Sequence, residues 1–370
     1  MPKLDKLTIN GFKSIKELTD FELRDINILI GSNGAGKSNF VEFFRMLKEI
    51  MQGNLKDFTT RNGGADDFLF NGPRITSQIH SELLFGDNGY RFTLEPTADE
   101  TFIFKTEERY YSRGQTGWWV IGNGHTEARL PSEKGEAGVR SQHGVAYYVY
   151  NAINSWQIYH FHDTSHTAAA RRSEIVDDCS ILRSNGSNIA PYLFYLREEK
   201  NDIYQRIIDN VRLTAPFFDD FLLKPKKNGE KSEKVKLDWK QKGSDYPMQP
   251  YHFSDGTLRF ICLATLLSMP VPPSVILLDE PELGLHPFAI SVLAGLIQSA
   301  SAHSQLIVST QSTTLLNHFA PDDTVVVERK GGNESVFTRL ENSQLEDWLE
   351  DYTLGELFEK NVLDGGPANV

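Results

Sequence analysis

An α/β fold is predicted by three observations. The run Ile26-Asn27-Ile28-Leu29-Ile30 is apolar and β-branched, the composition of a strand buried on both faces. Beyond a glycine-rich turn, residues Asn39 to Met51 place apolar side chains at helical spacing. Far along the chain, Ser274-Val275-Ile276-Leu277-Leu278 repeats the buried-strand pattern and stops on Asp279-Glu280-Pro281.

Between the first strand and its helix lies Gly31-Ser32-Asn33-Gly34-Ala35-Gly36-Lys37-Ser38, which fits the phosphate-binding pattern G-x-x-x-x-G-K-[ST] at every fixed position. Glycines let the backbone curl so that successive N–H groups face inward, and the following helix turns its positive end toward the same phosphates. The strand, loop, helix order is the context this motif requires. It implies a nucleoside triphosphate, here ATP, held by Asn33, Gly34, Ala35, Gly36, Lys37, Ser38 and Asn39. Lys37 is expected to reach the β- and γ-phosphates, and the Ser38 hydroxyl to ligate Mg²⁺.

Composition sets wide bounds on the rest. With 370 residues, 39% hydrophobic and 24% charged, the chain can bury a real core as one elaborate domain or two intimate ones. It shows no apolar run long enough for a membrane span and no signal-peptide core at Met1-Pro2-Lys3-Leu4-Asp5, so a cytoplasmic protein without membrane contact is expected. Cys179 and Cys262 are the only cysteines, too few for a disulfide framework or a four-cysteine zinc site. A net charge of -12 argues against a uniformly basic nucleic-acid clamp. One segment runs the other way: Lys224, Lys226, Lys227, Lys231, Lys234, Lys236, Lys240 and Lys242 face only Glu230, Glu233 and Asp238. A solvated hairpin or loop is the ordinary reading of such a run, with phosphate-backbone contact as the alternative.

The second buried strand is a Walker B pattern. Asp279 at its carboxyl end is expected to hold Mg²⁺ opposite Ser38, and Glu280 to orient or deprotonate the attacking water. Upstream, Phe253-Ser254-Asp255-Gly256-Thr257 precedes an apolar helical stretch from Ile261 to Ser268, with Ser254 or Asp255 able to cap it.

In that order (phosphate loop, long insertion, S-x-G at a helix start, Walker B ending in Asp-Glu) the chain resembles the ATP-binding-cassette ATPases over most of its length. Pro281-Glu282-Leu283-Gly284-Leu285-His286-Pro287 is similar to the D-loop of the SMC/RecF-type branch. Gln305-Leu306-Ile307-Val308-Ser309-Thr310-Gln311-Ser312 is similar to the next strand and switch, with Gln311 where transporter-type cassettes carry histidine. At the front, Ile9-Asn10-Gly11-Phe12-Lys13-Ser14 resembles the "N-F-K-S" turn of that branch, which puts Lys13 and Ser14 near the nucleotide. The whole layout is similar to bacterial stand-alone ATPases described as RecF-like or AAA-type. The family's Q-loop glutamine has no match; His162 and Asp163, in the histidine-bearing stretch Tyr159 to His166, are the nearest candidates.

The resemblance implies a P-loop NTPase of ABC-ATPase type: a mixed central sheet, an antiparallel β lobe and an inserted helical lobe. Residues 1–162 would supply the N-terminal part of the catalytic lobe and 251–340 its C-terminal part. The insertion would be 163–250, carrying the basic segment, and 341–370 an acidic C-terminal segment. Short strands at Ser81–Phe85, Tyr90–Leu94, Thr101–Thr106 and Trp118–Ile121, with turns at Asp87 to Gly89 and Gly114 to Gly117, fit the β lobe. Amphipathic stretches from Ile189 to Val211 fit the helical one. The insertion is far too short for the long coiled coil of SMC proteins.

In this family two protomers enclose two ATP molecules, each P-loop facing the partner's signature motif, here Ser254, Asp255 and Gly256. A homodimer timed by ATP binding and hydrolysis is therefore implied, with Glu280, Lys37 and Gln311 as catalytic residues. Its use is read as DNA-related work, repair or defence against phage, with a separate effector such as a nuclease. A protein-regulating ATPase that gates a toxin without DNA, and the energy subunit of a transporter, are the alternatives. The Lys37-Ser38 pair and the Asp279-Glu280 strand end argue against a dinucleotide-binding enzyme.

Overall fold

The computed structural model describes residues 3–113, 117–136, 144–159, 161, 163–227, 233–331 and 333–363. Its centre is a six-stranded mixed sheet in the order Glu334–Arg339, Thr324–Lys330, Ile26–Ile30, Gln305–Thr310, Val275–Asp279, Gln157–Tyr159. All neighbours are parallel except the first pair. The register sets Thr310 beside Ile30 and Ser309 beside Asp279, so the carboxyl ends of three strands finish together. Ligands of open α/β sheets bind at that edge.

Strand periodicity explains why these runs are apolar throughout. Ile28, Ile30, Leu306, Val308, Ile276, Leu278 and Val326 enter one hydrophobic core, whereas Leu29, Ile307, Val275, Leu277, Val325 and Val327 enter another. Successive side chains point to opposite faces and both faces are covered. One face meets the helix Lys37–Gln52, which buries Phe40, Phe43, Phe44, Met46, Leu47, Ile50 and Met51. Each such side chain contributes roughly 1.5–3 kcal/mol on leaving water. That helix stops at Gly53, whose φ of 71° and N–H bond to Ile50 form a left-handed cap.

The same core is closed by a six-stranded sheet, Ile15–Glu22, Lys6–Phe12, Ile79–Phe85, Asn88–Pro96, Phe102–Tyr111, Trp118–Gly122, antiparallel at every pairing. The strands are longer than the sequence suggests. Phe85 pairs directly with Asn88, so the turn falls on Gly86-Asp87 rather than on Asp87 to Gly89, because Gly86 supplies the positive φ of 56° that a two-residue hairpin needs. The expected turn at Gly114 to Gly117 lies largely outside the described residues.

Helices Ile189–Glu199, Asn201–Thr214, Asp255–Leu267 and Pro287–Ser301 cover the opposite face of the mixed sheet. Among its described residues the inserted segment is α-helical only at Ile189–Glu199 and Asn201–Thr214, with a 3₁₀ turn at Ala169–Arg171. The rest of it forms two three-stranded sheets, one joining Phe218–Phe221, Trp239–Gln241 and Pro247–Met248, the other joining Lys226–Lys227, Glu233–Val235 and Glu174–Ile175. The basic run is thus divided between the two, with Lys226 opposite Lys234 in one sheet and Lys240 on Trp239–Gln241 in the other; Glu230 and Lys231 lie outside the described residues. Beyond the sheet, helices Asn342–Leu349 and Leu354–Glu359 bury Leu345, Leu354 and Leu357 in the helical-side core. Up to residue 363 the acidic C-terminal segment is therefore a packed part of the fold. Among the described residues no helix is long and apolar enough to cross a membrane.

Candidate functional site

The strand Ile26–Ile30 delivers the chain into the loop Gly31 to Gly36 at the sheet's carboxyl edge. Gly36 has φ 115°, and a Cβ there would collide with Ser335 Oγ and come within 2.9 Å of Ser14 Oγ. Only glycine fits that conformation and that approach. The helix beginning at Lys37 has no side-chain cap at Gly36 and no acidic residue in its first turn. Its leading N–H groups are left to an anion, the arrangement that phosphate favours. Asn33, Gly34 and Ser38 are exposed, Asn39 is half-buried and Ala35 is buried.

Lys37 is 5% exposed, and its Nζ donates to Gly31 O at 2.6 Å and Ser32 O at 3.1 Å. Burial pulls its pKa below the usual lysine value, while Glu280, Asp279 and Glu282 favour the charged form. The ammonium thus sits in the field of the acids that end the Walker B strand.

Lys13 and Ser14, which the resemblance puts near the nucleotide, lie beside the phosphate loop and the helix that follows it. Ser14 is buried behind the loop, accepting from Asn39 Nδ2 at 2.6 Å and from Ser335 Oγ at 2.7 Å. Ser335 Oγ in turn reaches Ala35 O at 2.5 Å. Lys13 Nζ is bound to Glu42 Oε2 at 2.6 Å and lies 4.8 Å from the Phe68 ring centre. Ser14 braces the loop from its protein side, and Lys13 ties its turn to the helix that follows the loop.

At the neighbouring strand ends, three consecutive neutral donors meet three carboxylates. Ser309 Oγ donates to Asp279 Oδ1, Thr310 Oγ1 to Glu282 Oε1, and Gln311 Nε2 to Glu280 Oε1. Glu280 is held in the left-handed region at φ 44°, with its N–H bonded to Ser309 O at 2.8 Å. A non-glycine residue there is strained, and such strain gathers at functional sites.

Ser254 caps the helix Asp255–Leu267 by accepting from Thr257 N at 3.1 Å. Asp255 accepts from Arg171 Nη2 at 2.9 Å. Gly256 packs so tightly on the D-loop that a Cβ would collide with Gly284 O. Ser254, Gly256, Thr257, Gly284 and His286 wall a pocket of about 140 Å³. Asp163 accepts from Ser165 N at 3.1 Å and Ser165 Oγ at 2.6 Å, the geometry of a local turn, and His162 lies outside the described residues. Among the described residues no three His, Cys, Asp or Glu side chains gather to hold a metal.

Two buried arginines escape sequence reasoning. Arg171, 3% exposed, donates to Thr164 O at 3.0 Å, Ser165 O at 3.1 Å and Phe253 O at 3.2 Å besides Asp255, tying the segment after the edge strand to the entry of the signature helix. Arg259 Nε donates to Phe161 O at 2.8 Å, a second tie between the same two parts. Arg171 belongs to no contiguous motif, and Arg259, though within the stretch that carries Ser254-Asp255-Gly256, is marked out only by its burial.

Residues 26–317 match the family model described as "AAA domain, putative AbiEii toxin, Type IV TA system". The phosphate import ATP-binding protein PstB of Ehrlichia ruminantium (strain Gardel) is 30% identical over 107 residues, 26% of this chain and 42% of that protein. The chain thus spans less than half the length of this curated relative. The SmcHead bound to the C-winged helix domain of ScpA aligns with a TM-score of 0.55 at 19% identity, covering 93% of this chain and 99% of that one. The Smc head domain with an extended coiled coil, bound to the C-terminal domain of ScpA derived from Pyrococcus furiosus, aligns with a TM-score of 0.55 at 16% identity over 95% and 99% of the two chains. Likeness at these identities is one of fold: an SMC-head P-loop ATPase domain. Because the family model covers most of the sequence, the chain belongs to that AAA-domain family, and its fold is that of an SMC-head P-loop domain.

Proposed function

We propose that the chain is a Mg²⁺-dependent ATPase working as a nucleotide-driven dimerisation switch in the cytoplasm, in DNA-related work with a separate effector such as a nuclease. The observation that carries the reading is the meeting, at one sheet edge, of an uncapped helix N-terminus with Lys37 and the hydrogen-bonded acids Asp279 and Glu280.

Lys37 and the loop N–H groups of Asn33 to Ser38, with Asn39 at the helix start, bind the triphosphate tail. The Ser38 hydroxyl and the Asp279 carboxylate are hard oxygen donors of the type Mg²⁺ takes. When bound, such a cation would neutralise charge on the phosphates. Glu280, with Oε1 held by Gln311, turns Oε2 to the attacking water and takes its proton. Gln311 fixes that carboxylate in one orientation, a task its amide performs without titrating.

Ser254, Asp255 and Gly256 begin a helix whose N-terminus suits a phosphate, and a second copy related by a two-fold axis gives each site a signature motif from its neighbour. ATP then closes the pair, and loss of the γ-phosphate lets it open. A DNA-related role draws support from a groove of about 290 Å³ lined by Lys224, Lys226, Lys227, Lys234 and Lys236, with Asp238 as the acid in its wall. Lys236 of this groove lies 4.6 Å from the ring centre of Tyr251, just ahead of the signature motif. The likeness to a phosphate-import protein covers 26% of the chain and speaks for nucleotide binding rather than transport.

The test pairs two variants. Lys37→Ala should lose ATP binding, whereas Glu280→Gln should bind ATP, stop hydrolysing it and, purified from native cells with ATP, co-elute with DNA or an effector. A Glu280→Gln protein turning over at the parent rate would refute the assigned role.

A further inference from the structure

Glu282 lies in the D-loop stretch, where the sequence assigns it no role of its own, and it is 8% exposed. Its Oε1 accepts the Thr310 hydroxyl and its Oε2 has no hydrogen-bond partner among the described residues, while the backbone N–H groups of Glu282 and Gln311 favour its ionised form against burial. Burying half of a carboxylate unmet is costly, so the position must return something elsewhere. Thr310, itself fully buried, also accepts from Ser312 N at 2.9 Å, and Ser312 caps the helix Thr313–Leu316. One hydroxyl therefore binds Glu282 and shapes the chain on both sides of Gln311. The backbone of Glu282 does comparable work on the D-loop: its carbonyl accepts from Leu285 N at 2.9 Å, closing the turn that presses Gly284 O against Gly256. Glu282 also favours the charged forms of Lys37 in the P-loop and Arg259 in the signature helix.

We propose that Glu282 is a positioning residue that locks the end of the switch strand to the D-loop through Thr310, so that Gln311 presents its amide to Glu280 while Gly284 stays seated on the signature helix. The γ-phosphate end of the site and the face offered to a second copy then move as one body. Thr310 supplies the lock because its side chain and that of Ser309 leave opposite faces of the strand. Ser309 takes Asp279 on one face and Thr310 takes Glu282 on the other, bracketing Glu280 between them.

This rests on the hydrolytic reading above, and steady-state kinetics with nucleotide-binding measurements separate the two. Thr310→Val and Glu282→Ala should each lower kcat by ~tenfold or more while leaving the affinity for a nonhydrolysable ATP analogue within about twofold. Thr310→Ser and Glu282→Gln keep the donor and the acceptor and should retain at least about a third of kcat. The double variant Glu282→Ala/Thr310→Val should be no slower than the slower single one, since both remove one contact. If Glu282→Ala does not fold, the Val and Ser variants at 310 decide the matter. An unchanged kcat in Thr310→Val, a matching loss of affinity and kcat, or multiplying effects in the double variant would overturn the proposal and leave the ATPase reading standing. No hydrolysis by the unaltered protein would overturn both.

Discussion

Glu280 sits at φ 44°, a backbone region that L-residues enter at a cost of roughly 1–2 kcal/mol and glycine enters freely. Replacing it by alanine or by glycine removes the same contact with Gln311, so the difference between the two variants isolates the backbone. In ordinary strand or helix backbone, alanine is the more stable by roughly 0.5–1 kcal/mol. Here the left-handed cost falls on alanine alone, which reverses the order and leaves glycine ahead by about 0.5–1 kcal/mol. In a chain of this size that is a shift of about 1 °C in Tm, and urea titration without nucleotide reads the same difference as a change in midpoint at constant slope. Both variants should be hydrolytically dead. An alanine variant as stable as the glycine variant, or more so, would refute the idea that the site stores backbone strain at its water-orienting carboxylate.

Other consequences can be measured on the same footing. Burial raises the pKa of Glu282, so its ionised form costs the folded state stability near neutral pH, and that cost fades as pH falls through the raised value toward the ordinary 4.5. Glu282→Gln should therefore be more stable than the parent near neutral pH, with the gap closing in acid; a gap independent of pH in denaturant titrations would contradict this. Gly256→Ala drives a Cβ into Gly284 O, and should cost about 1–3 kcal/mol in unfolding and weaken any ATP-dependent pairing of copies. Neutralising Lys224, Lys227 and Lys234 together should reduce the salt slope of duplex DNA binding by about 2–3 while basal hydrolysis stays unchanged; anisotropy titrations showing the same slope would remove the groove from the account. Trp239→Ala removes the ring stacked 4.5 Å from Phe253 and should cost about 3–5 kcal/mol by calorimetry.

What the sequence makes legible is what lies contiguous in it. The loop Gly31 to Ser38 can be read because strand, turn and helix follow one another, and the run ending in Asp279 because a strand buried on both faces has no room for polar residues. The amphipathic helices at 189–214 are visible for the same reason, through their period. Lys13 and Ser14 show the limit. Their motif marks a turn close to the loop, yet the side of the loop they occupy depends on Ser335, more than three hundred residues away in sequence. Arg171 and Glu282 are invisible as functional candidates because each acts through backbone carbonyls or through one hydroxyl on a distant strand, and neither pattern leaves a spacing. The C-terminal segment reads as an acidic tail because its apolar positions, Leu345, Leu354 and Leu357, are sparse. Leu354 and Leu357 are buried by docking near the helix Thr313–Leu316, where Gly355 N bonds to Asn317 Oδ1 at 2.6 Å, and Leu345 by the packing of its helix near Pro321–Asp323.

The central claim is that Lys37 and Asp279–Glu280 serve one triphosphate that closes only when a second copy adds Ser254 and Gly256. Sedimentation of Glu280→Gln with ATP and Mg²⁺, against the same protein with ADP, tests it most directly. The account predicts twice the single-chain mass with ATP alone, lost on adding Ser254→Arg. The same mass with either nucleotide, or a doubled mass that survives Ser254→Arg, would contradict it.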